Sequence, residues 1–417
     1  MRELLNEKLL IIQDPKPEYE LDLSDPHARA YIPARWAWFL KPCSDIIVLP
    51  EYQGMREWWK FIQKTLRLSR SQAFFTSGKK FTMSGELLER VAEIGHHVNS
   101  LDEGGALVFP YSRTKGLTAY TDSRWQVLGD PQPWARRYSD KGILHPCPPG
   151  VSRPQALPIL TNVPVCRGYT CRADEREILL AYWALKKSGV KKVIAKARNA
   201  AAGDGFVLDF TPDRLNAEIL KVWEGYSGVV LEEMRGKFVA GSLQFVGRET
   251  FSEPTLQITN GPSYSGNEVP ARYSKKARRK ILEVTETVLG QIKPQGPGAL
   301  DFLVEGDEVF LVDPNLGRTT GGMIGRFFRE RYAPHSCYRT WKIPAKFLSR
   351  MPDVETFYDR LGRRGLHPNF ALTRNSPEVS GVFPLCYLQR IWGMLIAVGE
   401  DFSQVERFYE EAMECLV

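Results

Sequence analysis

The feature that most constrains the fold of this chain is a pair of apolar segments separated by a polar turn. Residues 300–304 (LDFLV) and 309–313 (VFLVD) flank a turn at 306–307 (Gly-Asp), and both are rich in residues that favour strands. Glycine and aspartate at this position indicate a tight turn, so the sequence predicts a β-hairpin. Each segment carries one aspartate, Asp301 or Asp313, in apolar surroundings where an unpaired carboxylate is costly.

The length of the hairpin loop decides whether these two aspartates share a face. They are 12 residues apart, and Asn315 follows two residues after Asp313. A loop with an odd number of residues, such as three residues including Gly306, would place both carboxylates on one face, whereas a strict two-residue loop would place them on opposite faces. On one face, together with Asn315, they would form an all-oxygen site of the kind that takes Mg²⁺ with nucleotide phosphates. The alternative is a surface hairpin with acidic edges.

The residues that follow the hairpin add groups that bind anions. Arg318 supplies a planar donor that binds phosphate or carboxylate through two hydrogen bonds. The run at 319–322 (Thr-Thr-Gly-Gly) supplies hydroxyl groups and accessible backbone amides. This combination favours a binding site over a surface hairpin.

An earlier apolar segment carries a single lysine. Residues 193–197 (VIAKA) contain Lys196 and precede a glycine-containing loop at 200–205. A lysine at this point can direct its ammonium group at phosphates, and Gly203 and Gly205 allow the backbone to approach them closely. The alternative is a strand lysine whose side chain extends along the surface into water.

A third apolar segment, residues 228–231, ends at two acids and a methionine: Glu232, Glu233 and Met234. Backbone amide and carbonyl groups at such a strand end could read the edge of a purine, and apolar side chains could sandwich its ring. The alternative is a strand that ends in two solvated acids.

The composition is that of a globular protein with several domains. The 417 residues carry a net charge of +7, and 43% are hydrophobic and 25% charged, which predicts two or three domains. This mild charge does not predict a nucleic-acid partner. The most hydrophobic late stretch, 392–398, is far shorter than the roughly 20 residues of a membrane span. A charged N-terminus predicts no secretory signal, and seven cysteines without a CxxC pair predict reduced thiols in the cytoplasm.

The order of predicted elements indicates an α/β protein. A strand at 46–49 followed by a helix at 55–66 forms an α/β unit, and a second helix is predicted at 85–97. A proline-rich tract between 131 and 164 marks a connector. Beyond it, the pattern predicts strands at 193–197, 207–210, 228–233, 300–304, 309–313 and 393–398, and helices at 214–223, 274–292 and 403–416.

The order of these motifs resembles the ATP-grasp superfamily of carboxylate–amine ligases over residues 139–322, most specifically at the hairpin. The resemblance implies an α/β (α+β) ATP-grasp fold that uses ATP and Mg²⁺. By position, it implies metal ligands at Asp301, Asp313 and Asn315, and a phosphoryl-stabilising arginine at Arg318. The positions that it implies for the nucleotide are Lys141, Lys196, Gly203, Gly205, Glu232, Glu233 and Met234.

The N-terminal region is similar to the pre-ATP-grasp α/β domain of peptide ligases from natural-product pathways, in Arg35-Trp-Ala-Trp-Phe and in residues 45–50. The expected domains are residues 1–135 (pre-ATP-grasp), 136–225 (nucleotide lysines and phosphate-covering loop) and 226–417 (metal site and C-terminal extension). The chain departs from the family pattern at the metal positions, where aspartate replaces the frequent glutamate, and in the spacing between Asn315 and Arg318.

The resemblance implies an ATP-dependent ligase that joins a carboxylate, such as an amino acid, to an amine through an acyl phosphate. A polar stretch at 260–272 is the expected substrate-facing loop, with Arg272 and Arg248 as candidate carboxylate-binding residues and Arg272 as a catalytic candidate. Two alternatives remain, a phosphotransferase on the same fold and a non-catalytic nucleotide-binding scaffold. The expected partners are small molecules, with no nucleic acid and no membrane, and a homodimer is among the expected states.

Overall fold

The structure is a computed structural model. It describes residues 9–12, 34–40, 45–69, 73–76, 106–110, 125–152, 160–200, 205–261, 263–318, 320–367 and 379–417. The helix predicted at 85–97 and the predicted phosphate-loop residue Gly203 lie outside the described residues.

The described residues form a mixed α/β fold, as predicted. Its strands, in chain order, are β1 (Leu9–Ile12), β2 (Ile46–Pro50), β3 (Ala73–Thr76), β4 (Ala106–Pro110), β5 (Trp125–Val127), β6 (Gly168–Cys171), β7 (Val193–Ala197), β8 (Val229–Glu233), β9 (Val239–Val246), β10 (Glu249–Thr250), β11 (Thr255–Asn260), β12 (Ser263–Val269), β13 (Pro297–Glu305), β14 (Glu308–Leu316), β15 (Cys337–Lys342), β16 (Gly381–Leu388) and β17 (Trp392–Gly399).

The α-helices, in chain order, are α1 (Met55–Leu66), α2 (Gln132–Tyr138), α3 (Glu175–Lys187), α4 (Ala217–Gly225), α5 (Lys275–Ile292), α6 (Gly321–Tyr332), α7 (Ala345–Leu348), α8 (Val354–Arg363) and α9 (Phe402–Glu414). Among the helices of the described residues, none combines the length and the apolar character needed to cross a membrane.

The chain divides into two compact units. The terminal unit contains Met1–Gln132, Gly266–Pro270 and Arg318–Val417, and the central unit contains Pro133–Ser265 and Ala271–Gly317. The division into three domains by residue range remains a prediction.

The terminal unit contains a parallel five-stranded sheet with the order β3-β2-β1-β4-β5. The strand predicted at 46–49 and the helix predicted at 55–66 are confirmed as β2 and α1. The same unit contains antiparallel pairings from Gly266–Val269 of β12 to β15, from β15 to β17 and from β17 to β16.

Aromatic packing joins the early and late parts of the terminal unit. The segment with the sequence Arg-Trp-Ala-Trp-Phe forms a buried 3-10 helix, Arg35–Phe39. Its Trp38 indole donates a 2.6 Å hydrogen bond to the carbonyl of Pro384 and packs edge-on against Phe328 and Phe383. Large aromatic side chains contribute much of the apolar area of such a core. The early segment Arg35–Phe39 and the later residues Phe328 and Phe383 therefore share one core.

The central unit contains a small antiparallel sheet, β6-β8-β7, packed under α3 and α4. A returning strand predicted at 207–210 is wrong, because Val207 makes only a single bridge to Ala195. Asp209 then takes a left-handed backbone conformation (φ 51°), which ends the extended path.

A larger antiparallel sheet of the central unit runs in the order β14-β13-β9-β11. Leu300, Phe302 and Val304 of β13 are buried in one apolar cluster with Ile281 and Val288 of α5. Because side chains alternate along a strand, Asp301 belongs to the opposite face of the sheet. That face carries the predicted metal ligands.

Candidate active site

The hairpin β13–β14 places the two predicted metal aspartates opposite each other. Its loop has two residues, since Glu305 pairs with Glu308, and Gly306 takes the positive φ (60°) that the turn requires. A regular ladder with this loop would put the aspartates on opposite faces. The register shifts between Phe302, which pairs with Leu311, and Asp301, which pairs with Asp313, and this leaves Val312 as the extra residue of a β-bulge. The bulge therefore brings both carboxylates to one face.

Three side chains hold the Asp301 carboxylate. The amide of Gln257 donates to Oδ1 at 2.9 Å, the amide of Asn315 donates to Oδ2 at 2.9 Å, and the Ser242 hydroxyl donates a further hydrogen bond. Burial and then the charge of Asp313 raise the pKa of Asp301 from 3.8 to about 7, against the opposing effect of Ser242, Gln257 and Lys141. Asp301 is thus oriented, but its charge is not compensated.

Among the described residues, a cation lies beside one of the two oxygens of Asp313. The Lys141 ammonium lies 3.3 Å from Oδ2, and it also donates a 2.7 Å hydrogen bond to the carbonyl of Ala200. Oδ1 of Asp313 is buried and has no hydrogen-bond partner among the described residues. A buried polar atom without a partner destabilises the fold unless something else binds it.

These residues fit a small divalent cation. Two carboxylates and the amide oxygen of Asn315 are the oxygen donors that Mg²⁺ prefers, and a cation would relieve both the repulsion and the unpaired oxygen. Within the described residues, no cluster of three or more His, Cys, Asp or Glu side chains is arranged to hold a metal. The protein therefore offers only part of a coordination sphere, which is typical of sites that Mg²⁺ shares with water and phosphate.

Lys196, the fourth of the five residues of β7, is buried and does not extend into water. Its ammonium forms an ion pair with Glu232 Oε1 and lies 3.5 Å from the carbonyl oxygen of Val312, the bulge residue. His145 contributes Nε2 at 3.1 Å from the other oxygen of Glu232. Burial by itself would raise the pKa of Glu232, but the Lys196 charge and the His145 hydrogen bond hold it well below its usual value.

The three residues of the predicted adenine hinge have different surroundings. Glu232 points into the protein, whereas Glu233 is paired with Arg167 through two contacts of 3.1 Å. The backbone amide of Glu233 donates to the backbone carbonyl of Arg167 at 2.8 Å, and that of Met234 donates to the backbone carbonyl of Lys192 at 2.9 Å. Both amides are therefore used by the sheet, and a base at this strand end would need the next amide, that of Arg235.

The other predicted residues are placed as follows. Gly205 accepts a 2.9 Å hydrogen bond from the Trp223 indole. Arg272 is exposed just before α5, and Arg318 is buried and belongs to the terminal unit. The expected substrate-facing loop at 260–272 is wrong for its middle part, because Ser263–Val269 is strand β12.

Several residues of this region were missed by sequence reasoning. His145 lies in a proline-rich tract, and Gln257 and Ser242 belong to other strands, so no spacing connects them to Glu232 or Asp301. Arg235 stacks on the Phe310 ring at 4.2 Å and lies 3.3 Å from Glu305. Cys166 was missed as well, and burial raises the pKa of its thiol to about 12.

No family model and no curated protein sequence matches this chain. Solved structures do match it. A biotin carboxylase–β,γ-ATP complex from Campylobacter jejuni has a TM-score of 0.59 at 16% identity, over 100% of this chain and 92% of the other. An Aspergillus clavatus N5-carboxyaminoimidazole synthase with ADP and 5-aminoimidazole ribonucleotide has a TM-score of 0.55 at 10% identity, over 99% of both chains.

A third similar structure is the biotin carboxylase domain dimer of Hydrogenobacter thermophilus 2-oxoglutarate carboxylase, in complex with MgADP, ADP and bicarbonate. Its TM-score is 0.59 at 11% identity, over 98% of this chain and 89% of the other. These are ATP-grasp enzymes, and the likeness spans the whole chain. The chain therefore has the ATP-grasp fold.

Proposed function

We propose that this protein is an ATP-dependent ligase that joins a small carboxylate to an amine through an acyl phosphate, using Mg²⁺. The observation that carries the proposal is the pairing of Asp301 with Asp313 on one sheet face, beside two buried lysines. The similar structures support the nucleotide, since their complexes contain β,γ-ATP, ADP or MgADP.

In this proposal, Asp301, Asp313 and Asn315 hold Mg²⁺. When bound, the ion would neutralise charge on the phosphate oxygens during transfer. The protein supplies the fixed orientation of the ligands, because Gln257 and Ser242 hold Asp301 before any cation arrives.

Lys196 and Lys141 bind the phosphates in the proposed complex. Both ammonium groups are buried and held by protein oxygens, so little reorganisation is needed when phosphate oxygens arrive. Lys141 would exchange its contact with Asp313 for phosphate, since the metal takes over the Asp313 charge. Gly203 and Gly205 belong to the proposed phosphate-covering loop, and the stretch of Glu232, Glu233 and Met234 lies at the proposed base site.

The proposed chemistry has two steps. One carboxylate oxygen of the acid attacks the γ-phosphorus, and ADP leaves. The amine nitrogen then attacks the acyl carbon, and phosphate leaves with that carboxylate oxygen while the nitrogen loses a proton. Arg318 would stabilise the charge on the transferred group, and Arg272 would bind a substrate carboxylate. Exclusion of water protects the acyl phosphate from hydrolysis.

The finer assignment is a peptide or amide ligase of a natural-product pathway that acts on an amino acid or peptide, in the cytoplasm. It is supported by the resemblance of the motifs and by the parallel α/β sheet that precedes the central unit in the chain. A homodimer is part of the proposal, and one similar structure is described as a dimer.

A panel of carboxylates and amines, scored by ADP release and product mass, tests the proposal. We expect ADP and phosphate only when acid, amine and Mg²⁺ are all present. Asp313→Asn should abolish the release, whereas Asp307→Asn, a matched change in the exposed turn of the same hairpin, should retain it. A stable phosphorylated product would instead identify a phosphotransferase, and unchanged release by Asp313→Asn would refute the site.

A further inference from the structure

The surroundings of Lys196 contain an arrangement that the proposed reaction does not explain. Lys196 pairs with Val230 in the β7–β8 ladder, so Glu232, two residues further along β8, is its diagonal neighbour. Long side chains reach each other across such a diagonal. Glu232 is therefore placed by the sheet to contact the ammonium group.

The second oxygen of Glu232 is occupied by a histidine from outside the sheet. His145 Nε2 lies 3.1 Å from Oε2, and the side chains of His145 and Glu232 are 2% and 3% exposed. A carboxylate accepts only, so Nε2 carries the proton of this hydrogen bond. Each oxygen of the buried carboxylate thus has one donor, Lys196 or His145.

The sheet leaves space for the imidazole at one position. Gly168 of β6 lies opposite Glu232, and a Cβ atom there would come within 2.7 Å of His145 Nδ1 and 3.0 Å of Glu232 Cβ. The backbone of His145 is fixed as well, because its carbonyl accepts a 3.1 Å hydrogen bond from the Thr170 hydroxyl. The imidazole is therefore held in place independently of Glu232.

We propose that His145 and Glu232 are positioning residues that hold the Lys196 ammonium at the Val312 carbonyl, where it meets the phosphates of a nucleoside diphosphate or triphosphate. This inference rests on the proposed function and reassigns Glu232 from base recognition to support of the lysine. His145 acts through Glu232, and Glu232 acts on Lys196. The bulge at Val312 then fixes both the lysine, through its carbonyl, and the neighbouring Asp313.

The proposed role of His145 predicts which ligands lose affinity when it is replaced. The positioned group is a phosphate ligand, so its loss should weaken ADP binding and leave adenosine binding unchanged. A merely structural role of His145 would weaken both ligands together. Removal of one donor to a buried carboxylate leaves that oxygen unpaired, which frees the carboxylate to rotate away from the lysine.

The test is calorimetric titration of the full chain with ADP and Mg²⁺, and separately with adenosine. We expect His145→Leu to weaken ADP binding about tenfold, the size of a lost hydrogen bond to a charged group, and to change adenosine binding less than about twofold. His145→Gln, which can still donate to Glu232, should restore most of the ADP affinity. His367→Leu, a change of an exposed histidine in the terminal unit, is the matched control and should leave both affinities unchanged.

A double-mutant cycle separates positioning from folding. If His145 acts through Lys196, adding His145→Leu to Lys196→Met should cause no further loss of ADP affinity. Independent losses, a His145→Leu variant that binds ADP as the wild type does, or an equal loss of ADP and adenosine would each overturn the assignment. Wild-type protein that binds no ADP would instead refute the proposed function and, with it, this role.

Discussion

Asp301 lies directly opposite Asp313 across the β13–β14 ladder, because Val312 is inserted as a bulge between Asp313 and Leu311. Leu311 faces the apolar cluster together with Phe302. If the same strand paired without a bulge, Val312 would lie opposite Asp301, and Asp313 would face the core together with Leu311. The bulge therefore decides whether this face of the hairpin carries one carboxylate or two.

The affinity for Mg²⁺ should depend on pH through Asp301. Burial and Asp313 raise the pKa of Asp301 to about 7, and a metal ligand must be deprotonated. We expect the Mg²⁺ affinity to rise about tenfold per pH unit below pH 7 and to level off above it. Titration calorimetry at pH 6 in two buffers of different ionisation enthalpy should show that binding releases a proton. An affinity that is flat between pH 5.5 and 7.5 would be incompatible with this account.

Without metal, Asp301 should reduce the stability of the fold. Its pKa is raised on folding, so the folded protein keeps a proton that the unfolded chain releases, and stability falls as the pH rises from about 4 to 7. At pH 8 without Mg²⁺, the free energy of unfolding of Asp301→Asn, measured with urea, should therefore exceed that of the wild type by about 1–3 kcal/mol. At pH 4 the two proteins should differ little. A gain of the same size at both pH values would show that the charge is not its cause.

Glu232 should be required for folding in neutral solution. Its replacement by alanine leaves the buried Lys196 without its carboxylate, and removal of one partner of a buried ion pair costs about 3–5 kcal/mol. Glu232→Gln keeps the hydrogen-bonding shape and should lose less. Thermal unfolding at pH 7 checks both variants, with Glu233→Gln at the neighbouring half-buried position, which pairs with Arg167, as the control. A loss below 1 kcal/mol for Glu232→Ala would exclude a tight ion pair.

Acid should remove the stabilising contribution of Glu232, whereas it removes the destabilising charge of Asp301. The pKa of Glu232 is lowered on folding, so its contribution to stability is present above pH 4.5 and is lost as the pH falls below that value. The difference in the free energy of unfolding between Glu232→Gln and the wild type should accordingly shrink as the pH falls from 5 to 2. Acid unfolding followed by circular dichroism measures this, and a difference that does not change with pH would argue against the shift.

The hairpin and the main strands could be predicted because their signals are local. Apolar residues flanking Gly306-Asp307 predict a turn, and the segment containing Lys196 has the bounds of β7, Val193–Ala197. The helix at 274–292 was predicted equally well, since Ser274 caps α5 through its hydroxyl. These features need only neighbours in sequence.

The bulge and the partners of the charged residues could not be predicted in this way. A bulge depends on which strands flank the hairpin, so the sequence left two loop lengths open with opposite consequences for Asp301 and Asp313. His145 and Glu232 are 87 residues apart, and only the fold brings them together. The returning strand at 207–210 failed for a similar reason, because the left-handed conformation of Asp209 is set by its surroundings.

The central claim is that phosphate passes from ATP to a carboxylate on this site before the amide forms. The most direct measurement uses the first acid and amine that the panel identifies, with ¹⁸O in the carboxylate, and follows the label by ³¹P NMR. The account predicts that one ¹⁸O atom appears in the released phosphate in each turnover, and that Asp313→Asn releases none. Unlabelled phosphate, or cleavage of ATP to AMP and pyrophosphate, would contradict it.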